Sequence, residues 1–117
     1  MPELGGKIIL VVEDEFLIGL ETQQSLEGEG ARVLGPVTSV AAALAMIGVE
    51  RLDAAVLDVN LGGQSSTPVA AALTAARIPF VCATGYGTRT DLPGAVRVLD
   101  KPFSPAELIS ALRAALA

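Results

Sequence analysis

The sequence predicts a three-layer α/β fold, in which a doubly wound, parallel five-stranded sheet carries helices on both faces. Short apolar runs alternate along the chain with stretches of helical periodicity, which is typical of βαβ units and a parallel sheet. Apolar residues make up 51% of the chain and aromatic residues 3%, so the core is expected to be aliphatic. A chain of 117 residues is expected to form one domain, residues 1–117.

Five strands are predicted, over about residues 7–12, 31–35, 53–58, 79–83 and 96–99. The first is continuously apolar, as a strand covered on both faces should be. The second is expected to end at Gly35-Pro36.

Four helices are predicted, over about residues 15–28, 39–48 and 67–77 and from Ser104 onward. The first is expected to place Phe16, Leu17 and Leu20 on its apolar side. The second is expected to be capped by Thr38 or Ser39, and the third by Thr67 with Pro68 at its first position. Ser104-Pro105-Ala106-Glu107 is a capping box with proline at the first helical position.

The stretch between Thr84 and Lys101 must hold both a helix and a strand, but it contains Gly85, Gly87, Pro93 and Gly94. Its helix propensity is poor. We expect a loop or at most one or two helical turns at about 87–92, so that the fourth helix is short or missing. A complete fourth helix is the alternative.

Polar groups follow the predicted strands at one end. Glu13 and Asp14 follow the first strand, Asp58 ends the third, and Thr84 and Lys101 follow the fourth and fifth. Ligands bind at the carboxyl ends of the strands in open parallel sheets. A carboxylate at the end of a buried strand is costly unless it has a chemical role, so Asp58 is the primary candidate.

Three converging carboxylates would repel one another, and a divalent cation would relieve that repulsion. The chain has no histidine, so the ligands would be oxygens, which favours Mg²⁺ with Mn²⁺ as a substitute. A carboxylate nucleophile (Asp58), an ammonium (Lys101) and a hydroxyl (Thr84) form a set suited to phosphoryl transfer onto an aspartate.

Charge and composition narrow the class of protein. The net charge of −5 argues against direct nucleic-acid binding, which needs a basic face. The N-terminus does not resemble a signal peptide, and no apolar run reaches the roughly 18 residues of a membrane span. A soluble cytoplasmic protein is expected. Cys82 fits a reducing compartment and is expected to be a buried structural thiol rather than a redox centre.

Four motifs together carry a family resemblance: Val11-Val12-Glu13-Asp14-Glu15, Val56-Leu57-Asp58-Val59-Asn60-Leu61, Ala83-Thr84-Gly85 and Lys101-Pro102-Phe103. In this order and spacing the chain resembles a receiver domain of two-component response regulators over essentially its whole length. The resemblance implies a (βα)₅ flavodoxin-like fold with strand order 2-1-3-4-5. It also implies a signalling module rather than an enzyme.

The resemblance further implies a role for each matching residue. Asp58 would accept a phosphoryl group from a sensor histidine kinase or a histidine phosphotransfer protein, and the phosphorylated form would be recognised by a downstream protein target. Thr84 and Lys101 would bind the phosphoryl oxygens. The implied Mg²⁺ ligands are Asp14, Asp58, the main-chain carbonyl of Asn60 and, through a water, Glu13.

The run from Pro79 to Tyr86 further resembles the FAT GUY subclass of receivers, which usually has Phe at the position of Cys82. Many receivers carry an aromatic switch residue three positions before the lysine, where this chain has Val98. Tyr86 is therefore a candidate switch residue, with a plain covering role as the alternative.

Three other functions share the fold or the aspartyl-phosphate chemistry. A flavodoxin would need a phosphate-binding loop after the first strand, where this chain has Glu13-Asp14-Glu15. A haloacid-dehalogenase-type phosphatase would need a second acidic residue two positions after the nucleophile, where this chain has Asn60. A non-phosphorylated pseudo-receiver, acting as a protein-interaction module, is the remaining alternative.

Overall fold

The computed structural model describes residues 3–85 and 92–117. Within these residues the strands are β1 Ile8–Val12, β2 Arg32–Val37, β3 Ala54–Asp58, β4 Asn60–Leu61, β5 Gln64–Ser65, β6 Phe80–Thr84 and β7 Arg97–Asp100. The helices in the same ranges are α1 Phe16–Gly28, α2 Val40–Val49, α3 Thr67–Ala75 and α4 Pro105–Leu116.

The main sheet has five parallel strands in the order β2-β1-β3-β6-β7. Because β6 and β7 are the fourth and fifth strands of this sheet, the order 2-1-3-4-5 is confirmed. β4 and β5 form a separate antiparallel pair that the sequence did not predict. This hairpin directly follows Asp58, and it shapes the loop beside the carboxyl ends of the strands.

The sheet is covered on both faces, which confirms the three-layer architecture. On one face, Ile9 and Val11 of β1 pack with Leu26 of α1 and with Leu108 and Leu112 of α4. The other face carries α2 and α3, and its buried residues include Leu10, Val12, Ala43, Val69 and Leu73. Alternate residues of β1 thus enter opposite cores, as expected for a strand buried on both sides.

The apolar side predicted for α1 is wrong in part, since Phe16 is 79% and Leu17 is 68% exposed. The buried positions are instead Gly19, Thr22 and Leu26, which recur at helical spacing. A Cβ at position 19 would lie 3.1 Å from the Pro36 side chain. The close approach of α1 to β2 therefore favours a glycine there and turns the first two apolar residues toward solvent.

The predicted end of β2 is also wrong, because the strand continues through the cis Gly35–Pro36 peptide to Val37. The pairing of β1 with β2 shifts register between Leu10 and Val12, which accommodates this continuation. Gly35 has φ +105°, and a Cβ there would lie 2.6 Å from a main-chain oxygen of β1. Only glycine fits this position without displacing the strand.

Two of the predicted helix caps are present in the structure and one is not. Ser39 caps α2 by accepting from the Ala42 N–H, and the capping box of Ser104 and Glu107 is present at α4. The Thr67 cap is wrong: the residue before α3 is Ser66, and its side chain makes no cap hydrogen bond.

The region before β7 agrees with a short or missing fourth helix. Within the described residues 85 and 92–96 there is no helix, whereas the turns expected at 87–92 fall mostly on residues outside the description. Across residues 3–85 and 92–117, no helix has the length and apolar character that crossing a bilayer requires.

Candidate functional site

An acidic cluster lies where β1 and β3 end. These neighbouring strands pair in parallel, so Glu13 and Asp14, which follow β1, lie beside Asp58 at the end of β3. The three residues each offer a carboxylate oxygen, and these oxygens lie within 4.8 Å of one another. Glu13 and Asp58 are buried and Asp14 is exposed, so the cluster opens to solvent on one side.

Lys101 reaches this cluster from the other side of the sheet edge. It follows β7, and its main-chain N–H donates to the Thr84 carbonyl at 2.8 Å. Its Nζ lies 2.9 Å from Glu13 Oε1, 3.0 Å from Glu15 Oε1 and 3.1 Å from Asp58 Oδ2. The ammonium therefore contacts three carboxylates at once and neutralises part of their charge.

The main chain around Asp58 is fixed by hydrogen bonds. The Asn60 N–H donates to Asp58 Oδ1 at 3.2 Å. The fully buried Ser66 hydroxyl lies 2.6 Å from the Asp58 carbonyl and 2.8 Å from the Val59 carbonyl, and it can donate to either. Sequence reasoning missed Ser66, because a serine eight residues from Asp58 carries no signal until the hairpin folds it back.

The turn between β4 and β5 positions Asp14. The Gly62 N–H donates to Asp14 Oδ2 at 2.8 Å, and the Gly63 N–H donates to Asn60 Oδ1 at 2.9 Å. Gly62 and Gly63 have φ values of +57° and +88°, where glycine has no steric penalty. Gly62 and Gly63 thus allow this turn to donate a hydrogen bond to Asp14 of the acidic cluster.

The electrostatics of the cluster shift two pKa values. Burial, reinforced by a hydrogen bond to Asp58, raises the pKa of Glu13 from 4.5 to about 7. Burial by itself would lower the pKa of Lys101, but its bonds to Glu13, Glu15 and Asp58 outweigh that effect and raise it above the usual value. At neutral pH Lys101 is charged and Glu13 is near its titration midpoint.

A cleft of about 560 Å³ lies above the cluster. Thr84 is buried at the end of β6 and lines this cleft together with Asp58, Asn60 and Lys101. The structure therefore brings every predicted site residue to one edge except Tyr86, which lies outside the described residues. Val98 lies on β7 and is 43% exposed, and Cys82 is buried within β6.

The contact between Glu15 and Lys101 was also not predicted. Glu15 was noted in sequence only as part of an acidic run, yet its carboxylate contacts Lys101. The position directly before a helix is a signal for a cap, but Glu15 makes no side-chain cap hydrogen bond. Only the arrangement of β1 and β7 across the sheet edge shows this contact.

The chain is similar in sequence to two curated transcriptional regulatory proteins. It is 30% identical over 115 residues to the transcriptional regulatory protein PdtaR of Mycobacterium tuberculosis, covering 92% of this chain and 56% of that protein. It is 31% identical over 114 residues to the transcriptional regulatory protein YvrH of Bacillus subtilis, covering 92% and 48%. The chain thus spans about half the length of these curated relatives.

Solved structures share the fold. The solution structure of SdrG from Sphingomonas melonis Fr1 is 45% identical with a TM-score of 0.83, and the match covers 100% of both chains. The receiver domain of the sensor histidine kinase PA1611 from Pseudomonas aeruginosa PAO1 is 26% identical with a TM-score of 0.85, covering 96% of this chain and 98% of that one.

The response regulator receiver domain family matches residues 9–113, which include all four motifs and the acidic cluster. With the parallel sheet order and these relatives, the conclusion is that the chain belongs to the response regulator receiver domain family of two-component systems.

Proposed function

We propose that residues 1–117 form a receiver domain that accepts a phosphoryl group on Asp58. The observation that carries this proposal is the position of the Asp58 carboxylate. It ends a buried strand at the floor of a cleft, 3.1 Å from the Lys101 ammonium and beside a second acid, Asp14. The positive charge of the ammonium stabilises the negative charge of a phosphoryl group that approaches this carboxylate.

The donor in this proposal is a phosphohistidine on a sensor histidine kinase or a histidine phosphotransfer protein. An Asp58 carboxylate oxygen attacks phosphorus in line, the new O–P bond forms as the N–P bond breaks, and the imidazole leaves with the bonding electron pair. Lys101 and Thr84 bind the phosphoryl oxygens. The hydrogen bonds from Asn60 and Ser66 keep the Asp58 backbone and carboxylate oriented through the transfer.

The donor set fits a hard divalent cation, because it consists of carboxylate and carbonyl oxygens in a chain without histidine. Asp14, Asp58 and the Asn60 carbonyl, with Glu13 through a water, would hold Mg²⁺, or Mn²⁺ in its place. When bound, the ion supplies positive charge beside the phosphoryl oxygens. The related PA1611 receiver was solved with a magnesium ion coordinated in its active-site cleft.

Phosphorylation replaces the single negative charge of the Asp58 carboxylate by a phosphoryl group that carries about 1.5 to 2 negative charges. In the proposal this charge draws Thr84 and Lys101 inward, and a downstream protein recognises the changed surface. The domain works in the cytoplasm and binds protein partners rather than nucleic acid or membrane. The run from Pro79 to Tyr86 supports an assignment to the FAT GUY subclass, and in the proposal Tyr86 is the switch residue.

Intact-mass measurement after incubation with acetyl phosphate and Mg²⁺ tests the proposal. The wild-type chain is expected to gain about 80 Da, the mass of one phosphoryl unit, whereas Asp58→Asn should gain nothing. Asp53→Asn is a matched control, because Asp53 accepts from the Ile8 N–H at the opposite end of the sheet. Equal adducts on wild type and Asp58→Asn would move the acceptor elsewhere, and no adduct on either would favour the pseudo-receiver.

A further inference from the structure

The β4–β5 hairpin contacts two carboxylates of the acidic cluster that come from different strands of the sheet. Where the hairpin starts, the Asn60 N–H donates to Asp58 Oδ1 at 3.2 Å. At its tip, the Gly62 N–H donates to Asp14 Oδ2 at 2.8 Å, across 48 residues of sequence. The hairpin therefore connects the carboxylate that ends β3 with one that follows β1.

Asp14 is the one acid of the cluster that Lys101 does not hold. Glu13 and Asp58 are buried and lie within 3.1 Å of the lysine nitrogen, whereas Asp14 is exposed. Among the residues that the structure describes, the Gly62 N–H is the hydrogen-bond partner of the Asp14 side chain. An exposed carboxylate without a partner populates several rotamers, and fixing one of them costs free energy when a ligand binds. The Gly62 N–H removes part of that cost before a cation binds.

The tip of the hairpin directs this N–H toward Asp14. Gly62 and Gly63 form a two-residue connection between the paired strands, and both have positive φ, as in a type I′ turn. The Gly63 N–H donates to Asn60 Oδ1 at 2.9 Å, which closes the turn. A β-branched residue is strained at such φ values, whereas asparagine tolerates them. The direction of the Gly62 N–H thus depends on which residues occupy the turn.

We propose that Gly62 is a positioning residue for the divalent cation: its main-chain N–H orients Asp14, so that an ordered hairpin raises the affinity of the cluster for Mg²⁺. This inference rests on the metal site of the proposed function and deepens it. Hydrogen bonds that orient metal ligands typically change metal affinity by about 10- to 100-fold. Because Asp14 is exposed, we expect a smaller effect, of about three- to tenfold.

Two variants at position 62 separate turn geometry from added bulk. Gly62→Val keeps the N–H but disfavours the φ of +57°, which weakens the contact with Asp14. Gly62→Asn adds a side chain of similar size, yet Asn-Gly is a favoured pair for this turn. A Cβ at position 62 would lie 3.9 Å from Asp14 Oδ2, an ordinary contact that both variants share.

Gly6→Val is the matched control for backbone strain. Gly6 also has positive φ, at +74°, and a Cβ there would meet nothing within 4 Å. It precedes β1 and therefore lies at the end of the sheet opposite the acidic cluster. Its replacement introduces the same strain without touching the hairpin.

Mg²⁺ affinity is measured by titrating the unphosphorylated proteins and following their backbone amide shifts by NMR. Gly62→Val is expected to bind Mg²⁺ about three- to tenfold more weakly than wild type. Gly62→Asn should bind at least as tightly as wild type, and Gly6→Val should stay within about twofold of it. Circular dichroism verifies that all these proteins are folded.

The contact itself is tested by NMR, through the scalar coupling that a hydrogen bond transmits between the Gly62 amide nitrogen and the Asp14 carboxylate carbon. The coupling is expected in wild type and Gly62→Asn and should be lost in Gly62→Val. It should persist in saturating Mg²⁺, since the N–H and the cation use different lone pairs of the carboxylate. No coupling in wild type, or its loss on adding Mg²⁺, would overturn the inference.

Each outcome of the titration is also decisive. If wild type binds Mg²⁺ and Gly62→Val binds it equally, only this inference is overturned. If Gly62→Asn loses as much affinity as Gly62→Val, side-chain bulk replaces turn geometry and the inference is overturned. If wild type binds no Mg²⁺, the metal site of the proposed function falls together with this inference.

Discussion

Replacing Lys101 by methionine is expected to destabilise the metal-free protein by about 3 kcal/mol at pH 8. One ion pair at a distance near 3 Å has a Coulomb energy of about 5 kcal/mol at an effective dielectric of about 20. Most of that gain is offset by the cost of burying the ammonium, which is 10% exposed. Removing one partner of a buried pair nevertheless costs about 3 to 5 kcal/mol, because Glu13 and Asp58 stay buried without a cation. Methionine keeps most of the packing of the lysine stem, so we expect a loss at the lower end of this range, about 3 kcal/mol.

The loss of stability in Lys101→Met should depend on pH and on the Mg²⁺ concentration. The Glu13 carboxyl has a pKa of about 7 beside Lys101 and a higher pKa once the lysine bond that lowers it is removed, so below pH 6 it is protonated and the unpaired charge falls. The loss is then expected to shrink to about 1 kcal/mol. Saturating Mg²⁺ should reduce it in the same way, because the cation replaces the ammonium as a source of positive charge.

Urea unfolding followed by far-ultraviolet circular dichroism measures this loss, since the chain has no tryptophan. Lys7→Met makes the same charge change at an exposed position and should stay within about 0.5 kcal/mol of wild type. A Lys101→Met loss as small as that of Lys7→Met at pH 8, or a loss equal at pH 8 and pH 5.5, would refute the assigned role of the ammonium.

Three further predictions concern stability. Because the folded pKa of Glu13 is raised, its contribution is complete below pH 4.5 and is lost as the pH rises through 7. Glu13→Gln should therefore flatten the stability profile of the metal-free protein over that range by up to about 3 kcal/mol, and an unchanged slope would contradict the shift. Ser66→Ala should cost about 1 to 2 kcal/mol in urea unfolding by removing the donor shared by the Asp58 and Val59 carbonyls, whereas Ser110→Ala, at an exposed position of α4, should cost less than about 0.5 kcal/mol. Gly35→Ala should lower stability by more than 1 kcal/mol, since a Cβ there meets the main chain of β1 at 2.6 Å, while Gly28→Ala, where a Cβ meets nothing within 4 Å, should be neutral or stabilising.

The sheet and its order could be predicted because local signals and topology agree. The first, third and fourth strands are apolar up to their ends, and the family resemblance carried by the four motifs implied the strand order. Where prediction failed, a tertiary contact overrode the local pattern. Phe16 and Leu17 have a helical apolar spacing, but the approach of Pro36 to Gly19 decides which side of α1 faces the sheet.

The residues of the candidate site likewise fall into those that the sequence could place and those that it could not. Residues at strand ends, such as Asp58 and Lys101, could be placed from sequence because every parallel strand delivers its carboxyl end to one edge. Ser66 and Glu15 could not, since their contacts depend on how the β4–β5 hairpin and the start of α1 fold over that edge. The chemical roles of the site residues stay predictions until phosphorylation is measured.

The most direct test of the account is to locate the phosphoryl group itself. Borohydride reduces an aspartyl phosphate to homoserine, so the peptide containing Asp58 should become about 14 Da lighter after phosphorylation with Mg²⁺ and reduction. The account predicts this change at Asp58, located by fragmentation of the peptide that carries both Asp53 and Asp58, and no such change at Asp14 or Asp53. Reduction found at another aspartate, with Asp58 intact, would contradict it.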